Sequence, residues 1–371
     1  MSENRYALDH TENRISPCLI YYREIIVENI KKAIAIAGGA DRLWPHVKTH
    51  KSADMVKLQM DFGITRFKCA TIAEAEMLAD VGAQHILLAY PLVGPNIERY
   101  LRLAQAYPKS IFYAIGDNDA QLAKLATAAD AMHTEMHVLI DVNMGMNRTG
   151  VPLTAAQALY EKCAMLKGIK MAGMHCYDGN HNNRDFILRN EAVKTTDQLV
   201  AEIQIALQTK KIPCELLIMG GTPSFPCHAC NTTWYLSPGT AFVSDMGYYN
   251  NLPDLDFVPG AAILTRVISH PAEGMFTLDL GYKGIASDPQ GMRGTIVGLE
   301  CAKQCFQSEE HWVFMLEEQD KDKLPAIGTV FYVIPTHICP TTALYPDIAV
   351  AENHKIIAQW PVTARNRKIT Y

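Results

Sequence analysis

The 371-residue chain reads as an α/β protein, a parallel (β/α)8 TIM barrel followed by a second, C-terminal β-rich domain. Three observations predict this. Short apolar runs alternate with amphipathic stretches through the first two-thirds of the sequence. After about Pro259 the helical periodicity disappears and strand-like runs between Gly and Pro turns replace it. The length exceeds what one small core needs and suits one large domain plus a smaller one. The predicted division is therefore 1–258 for the barrel and 259–371 for the β-rich domain.

The elements follow in order. The apolar opening Pro17-Cys18-Leu19-Ile20-Tyr21-Tyr22 precedes a helix from about Glu28 to Ala37, which stops at Gly38-Gly39. Eight strands are predicted, at Leu43 to Lys48, Ile64 to Ala70, His85 to Tyr90, Ser110 to Ile115, Met136 to Val142, Lys170 to Cys176, Glu215 to Met219 and Trp234 to Leu236. Helical patterns such as Ile72 to Ala79 and Ala120 to Ala129 lie between them, with apolar residues three and four apart. Strand and helix repeated eight times suggest a closed barrel. An open doubly wound sheet is the alternative, and it needs a topological switch point that the pattern does not reveal. The β-rich part carries the runs 261–268, 275–280, 312–316 and 329–334.

Composition narrows the function. The chain is 49% hydrophobic and 20% charged, with a net charge of -5. That is ordinary for a folded domain and offers no basic patch for nucleic acid or an anionic membrane. No apolar run reaches about 18 residues, so no membrane-spanning helix is expected. The start Met1-Ser2-Glu3-Asn4-Arg5 lacks a secretion pattern, and a cytoplasmic location is expected. The ten cysteines are scattered, which argues against a disulfide framework.

In a parallel barrel, chemistry gathers at the C-terminal ends of the strands. Lys48 ends the first predicted strand in His46-Val47-Lys48-Thr49-His50-Lys51. An amine there, near other positive charge and partly desolvated, suits a Schiff base. Taken alone, the segment is more simply a solvated basic loop. Arg148 stands in the glycine-flanked loop 141–150, where it can meet an anionic oxygen, or the loop is a plain turn. Gly220-Gly221-Thr222-Pro223-Ser224 and Pro238-Gly239-Thr240 follow strands seven and eight, where barrel phosphate sites are commonly built. They read equally as ordinary turns. His337 and Cys339, two apart in an extended segment, point to one side and could share a metal, although His-x-Cys by itself is a weak signal. Cys227-His228-Ala229-Cys230 has Cys-x-x-Cys spacing without a second pair, which speaks against a zinc knuckle.

Together, these segments resemble the D-threonine aldolase and eukaryotic-type D-serine dehydratase family, which shares the alanine-racemase-like fold. The resemblance rests on Pro45 to Lys51, Asp141 to Gly150, Gly220 to Pro223, Ser237 to Thr240, Leu278 to Gly281, Glu309 to His311 and Pro335 to Pro340, in the family's order. It implies pyridoxal 5'-phosphate at the barrel mouth and a homodimer. It makes Lys48 the Schiff-base lysine and places Arg148 near the cofactor's phenolic oxygen. It sets Tyr177 against the pyridine ring, gives the phosphate to Gly221, Thr222, Gly239 and Thr240, and gives a divalent metal to His337 and Cys339. Zinc suits the thiolate best, with manganese or magnesium as alternatives. Ser237 stands where alanine racemases carry an arginine facing the pyridine nitrogen, and no residue matches the racemase tyrosine base.

The expected function is a pyridoxal-phosphate- and metal-dependent lyase acting on small D-3-hydroxy amino acids. Dehydration is favoured, since the resemblance associates His-x-Cys with the dehydratases. Retro-aldol cleavage, racemisation and non-catalytic cofactor binding are the alternatives. Lys48 is the expected base for dehydration, and His50 or a metal-bound water for the aldol route.

Overall fold

The structure, a computed structural model, describes residues 5–371. It divides into two compact units. One comprises the chain up to Ile30, Thr49–Asp54 and Thr240–Arg365; the other comprises Lys31–Lys48, Met55–Gly239 and Asn366–Tyr371. This division departs from the predicted 1–258 and 259–371. The reason lies in the first strand, β1 (Cys18–Tyr22), which pairs with strands far along the chain. Its helix, Arg23–Ala37, begins earlier than predicted and ends as predicted at Gly38, whose φ is +78°.

The barrel unit holds β2 (Arg66–Cys69), β3 (His85–Leu88), β4 (Ile111–Gly116), β5 (Met136–Asn143), the short β6 (Val151–Pro152), β7 (Ile169–Cys176), β8 (Leu216–Met219) and β9 (Tyr235–Leu236). The order β2-β3-β4-β5-β7-β8-β9 is parallel throughout, and β6 pairs only with β5. The segment predicted as the first strand closes the ring with two parallel bridges, Leu43 to Leu236 and His46 to Lys68. Trp44 N donates to Leu236 O, and Lys68 N to Pro45 O. Pro45 has no N–H for a ladder, and Val47–Thr49 winds into a 3-10 turn. Lys48 therefore sits in a turn rather than at the end of a continuous strand.

Helices alternate with these strands, at Ile72–Asp80, Asn96–Ala106, Asp119–Ala131, Leu153–Cys163 and Phe186–Thr209. Asp185 starts the last of these by accepting from the N–H groups of Ile187 and Leu188, which satisfies donors the helix itself cannot. Trp44, Leu87, Tyr113, Ile115, Leu139 and Ile218 pack together as a buried cluster. Alternation along each strand then decides what else points inward. Lys68 is in register with Leu87, and Asp141 lies two residues beyond Leu139. His175 pairs with both Asp141 and Ile218.

The β-rich unit adds β10 (Ala261–Ser269), β11 (Met275–Leu278), β12 (Gly294–Ile296), β13 (Lys303–Gln307), β14 (Trp312–Met315), β15 (Val330–Pro335), β16 (Asp347–Glu352) and β17 (Lys355–Pro361). The strand order is β13-β14-β11-β10-β1-β16-β17, with β15 pairing β10 and β12. β1 runs antiparallel to β10 and parallel to β16. Tyr6, Ile20, Tyr22, Leu264, Ile334 and Ala349 share one buried core, where each large side chain contributes about 1.5–3 kcal/mol by leaving water. The N-terminal strand is thus a central part of this sheet.

Candidate active site

The barrel's inward strand ends hold a chain of three polar side chains. Lys68 is buried, and its Nζ lies 3.3 Å from His175 Nε2. His175 Nδ1 lies 2.7 Å from Asp141 Oδ1. A carboxylate accepts, so Nδ1 carries the hydrogen and Nε2 offers a lone pair to Lys68. Burial pushes the Lys68 amine down to about 7, and the cations Lys48 and Arg148 work in the same direction against Asp141 and Asp178. Burial, followed by the Lys68 charge, also lowers the His175 imidazole. An amine near 7 can hold or release a proton at neutral pH. Sequence reading passed over Lys68 as one residue of a strand. The available signal was a lysine on the inward alternation of an apolar barrel strand.

Tyr177 follows this chain of groups at the exit of β7. The Arg148 guanidinium carbon lies 4.8 Å from its ring centroid, and Lys68 Nζ lies 5.5 Å from it. Two glycines make room for the ring. A Cβ on Gly179 would fall 2.2 Å from Tyr177 Oη, and one on Gly221 2.8 Å from Cε2. Lys48 is half-buried, and its N–H donates to His46 Nδ1 at 3.2 Å. Lys48, Lys68, Arg148 and Tyr177 thus belong to one cationic, ring-lined barrel end. This donor chemistry fits an anionic aromatic ligand such as pyridoxal phosphate.

The glycine-rich exits are tied to one another. Gly239 N donates to Thr222 Oγ1 at 3.2 Å, and Gly221 N to Ser224 Oγ at 3.1 Å. Gly220 has φ +76°, which favours glycine. Thr240 belongs to the β-rich unit, where its hydroxyl lies 3.3 Å from Cys339 Sγ.

In that unit, His337 and Cys339 do not share an extended segment. β15 ends at Pro335, and the chain turns at His337 into the helix Ile338–Thr342. Their side chains still hydrogen-bond each other. Burial alone would raise the Cys339 thiol, but the His337 hydrogen bond and charge, with help from Thr240 and Thr49, bring it below its usual value. Burial lowers His337, yet Cys339, Asp245 and Asp288 together push it up to about 9. Asp245 fixes the turn by accepting from Ile338 N at 3.1 Å and Tyr248 N at 2.9 Å. Among the described residues no group of three or more His, Cys, Asp or Glu could hold a metal. The thiol and imidazole together fit a soft divalent ion with open positions.

His50 is buried, and its Nδ1 accepts from Ser52 N at 3.2 Å. Burial pushes it down to about 3. The neutral ring therefore carries its hydrogen on Nε2, which has no hydrogen-bond partner among the described residues. That geometry offers a donor rather than a base.

A barrel with a lysine-bearing turn after its first segment, glycine turns at its last exits and a β-rich second unit defines a class of fold. Residues 23–246 match the alanine racemase N-terminal domain family, and the chain belongs to it. Residues 260–351 match a putative serine dehydratase domain, which places the chain on the D-threonine aldolase and D-serine dehydratase side of that fold. A D-threonine aldolase from Arthrobacter sp is 27% identical over 342 residues, covering 89% of this chain and 88% of that protein. The crystal structure of D-threonine aldolase from Filomicrobium marinum matches with TM-score 0.87 and 27% identity, over 96% of this chain and 97% of that one. A D-threo-3-hydroxyaspartate dehydratase, described as a Cys-to-Ala mutant in the metal-free form, has TM-score 0.82 and 20% identity over 94% and 97% of the two chains. A His-to-Ala mutant of the same-named enzyme, substituted two positions earlier, also reaches 0.82. No helix among the described residues is long and apolar enough to cross a membrane.

Proposed function

We propose that this protein is a pyridoxal-phosphate- and metal-dependent lyase of D-3-hydroxy amino acids, and that it dehydrates them to a 2-oxo acid and ammonia. The observation that carries the choice of reaction is the Cys339–His337 couple, a thiol held below its usual pKa beside an imidazole. The histidine and cysteine substituted in the dehydratase structures have the same spacing, and one of those structures is described as metal-free.

Bound pyridoxal phosphate supplies a sink for the electrons of the bond broken at the substrate's Cα. Lys48 would hold the cofactor through Nζ, Arg148 would face its phenolic oxygen, and Tyr177 would pack against its ring. Gly221, Thr222 and Gly239 shape the phosphate turn, with Thr240 at its end. Lys68 holds or releases a proton at Nζ close to neutrality, and Asp141 keeps His175 in the tautomer that receives it. His50 serves as an Nε2–H donor to an anionic or hydroxyl oxygen. His337 and Cys339 would hold a divalent ion, zinc by the softness of a thiolate ligand, which would supply Lewis-acid polarisation of a hydroxyl. The assembly is a homodimer in the cytoplasm.

Aldol cleavage is the second reading, favoured by the names of the relatives at 27% identity. Product analysis with D-serine, D-threonine and D-threo-3-hydroxyaspartate separates the two. A 2-oxo acid with ammonia is expected, and glycine plus an aldehyde as the dominant products would overturn dehydration. Racemisation that survives EDTA would remove the metal from the reading. No turnover despite bound cofactor would leave a binding protein. Borohydride reduction and peptide mapping should fix the cofactor on Lys48, and Lys48→Ala should lower turnover by about 10³-fold or more. Labelling of Lys68 instead would reassign the anchor. Metal analysis tests zinc, and light scattering tests the dimer.

A further inference from the structure

One buried cluster in the barrel unit has no part in the chemistry above. His228, inside Cys227-His228-Ala229-Cys230, is fully buried. Its Nδ1 lies 2.9 Å from Asp197 Oδ2, and its Nε2 lies 2.9 Å from Asp178 Oδ2. Both partners are carboxylates and can only accept. A ring with one hydrogen would turn a lone pair on one of them at 2.9 Å, so the geometry requires both nitrogens to donate. His228 is therefore an imidazolium between two aspartates.

The contact extends further. The other oxygen of Asp178 accepts from the Ser224 hydroxyl, and Ser224 Oγ accepts from Gly221 N. Gly220, in left-handed conformation, is so close that a Cβ there would stand 3.1 Å from His228 Cδ2. Asp178 directly follows Tyr177, and Asp197 lies on the helix Phe186–Thr209. One buried cation thus joins three elements: that helix, the exit of β7, and the turn Gly220–Ser224. Trp234 packs near the same ring, with centroids 6.5 Å apart. Arg42 fastens the turn that leads into β9 through the carbonyls of Ala229, Asn231 and Trp234.

We propose that His228 is a positioning residue that, through Asp178 and Ser224, locks the turn Gly220–Ser224 in the shape that receives the cofactor's phosphate. Within Cys227-His228-Ala229-Cys230 the proposal rests on the histidine between the cysteines. The inference rests on assigning this turn to the phosphate of pyridoxal phosphate. Ser224→Ala cuts the link while removing one oxygen, and Asp197→Asn removes one carboxylate. His228→Gln removes the cation.

The test is equilibrium binding of pyridoxal phosphate and of pyridoxal, which lacks the phosphate, to the cofactor-free chain and its variants. The wild type should prefer the phosphorylated form strongly. In Ser224→Ala and His228→Gln that preference should shrink by about tenfold, the scale of one buried hydrogen bond, with pyridoxal binding nearly unchanged. A merely structural role would weaken both ligands equally, and an unchanged preference in Ser224→Ala with intact circular dichroism would overturn the proposal. Should His228→Gln fail to fold, Ser224→Ala and Asp197→Asn still decide it. If the wild type binds neither ligand, the cofactor reading falls instead.

Discussion

Two histidines of the barrel unit, His175 and His228, begin from the same position and end in opposite charge states. Both are buried, and both place Nδ1 on an aspartate, Asp141 at 2.7 Å and Asp197 at 2.9 Å. They differ at Nε2, which meets the Lys68 amine in one case and the Asp178 carboxylate in the other. Burial disfavours the charged form of each. For His175, burial and the Lys68 charge outweigh Asp141, and its pKa falls. For His228, the two aspartates overcome burial and raise it to about 9. The lesson is that the second partner, rather than depth, sets the charge of a buried imidazole. One region becomes a place where a proton can move, the other a fixed brace.

The largest effect should come from breaking the brace. His228→Leu leaves Asp178 and Asp197 buried without their cation and should cost about 3–5 kcal/mol of stability in urea unfolding. A cost near that of an ordinary surface change would mean the two carboxylates are not charged together. His175→Asn, by contrast, removes one partner of Lys68 and should cost about 1–3 kcal/mol.

Titration sharpens the contrast, because the two regions respond to pH with opposite sign. Lys68 falls from an ordinary 10.5 to about 7 in the folded chain. Between those values the unfolded chain binds more protons, so this group makes stability rise with pH from about 7 upward. His228 rises from 6.5 to about 9. Its contribution is fully present below 6.5 and is lost as pH climbs through 9. Lys68→Met should therefore remove the rise in unfolding free energy between pH 7 and 10, while Asp197→Asn should bring the His228 titration, followed by NMR, down towards 6.5. An unchanged value in Asp197→Asn would contradict the role given to the second carboxylate. The smallest effect belongs to Cys230→Ser. Cys230 is exposed and Cys227 is buried, and the change should stay within about 0.5 kcal/mol.

Much of the barrel was legible because its signal is local. Apolar periodicity and glycine exits lie within ten or twenty residues of each other, and they located the segments from Leu43 to Leu236 in order. The same local reading singled out Lys48, Arg148 and the Gly220 turn. What escaped it depends on distant partners. β1 looks like any apolar run until Leu19 meets Ile263 and Ile20 meets Ala349. Asp178 and Asp197 stand 50 and 31 residues from His228, so nothing in the Cys-x-x-Cys spacing announces them. No residue of β13 or β17 is fully buried, so neither strand needs the continuous apolar run that marks a core strand. Thr240 was grouped with Gly239 because they are adjacent, although its hydroxyl lies by the Cys339 sulfur.

The bridge from Leu43 to Leu236 also bears on how the chain is made. A ribosome delivers residues in order, and neighbouring staves of this ring can pair as they emerge, but the Leu43 edge stays open until Leu236 has been made. β1 waits longer still, since among the described residues β10 and β16 are its strand neighbours. Until then its backbone donors and acceptors have no native ladder, so this strand and the ring's closing edge depend on late, long-range pairing, whereas β2 to β9 can add stepwise. The nascent chain must therefore carry unpaired strand edges through most of its synthesis, a period in which chaperone shielding would matter more than for a protein built from local hairpins.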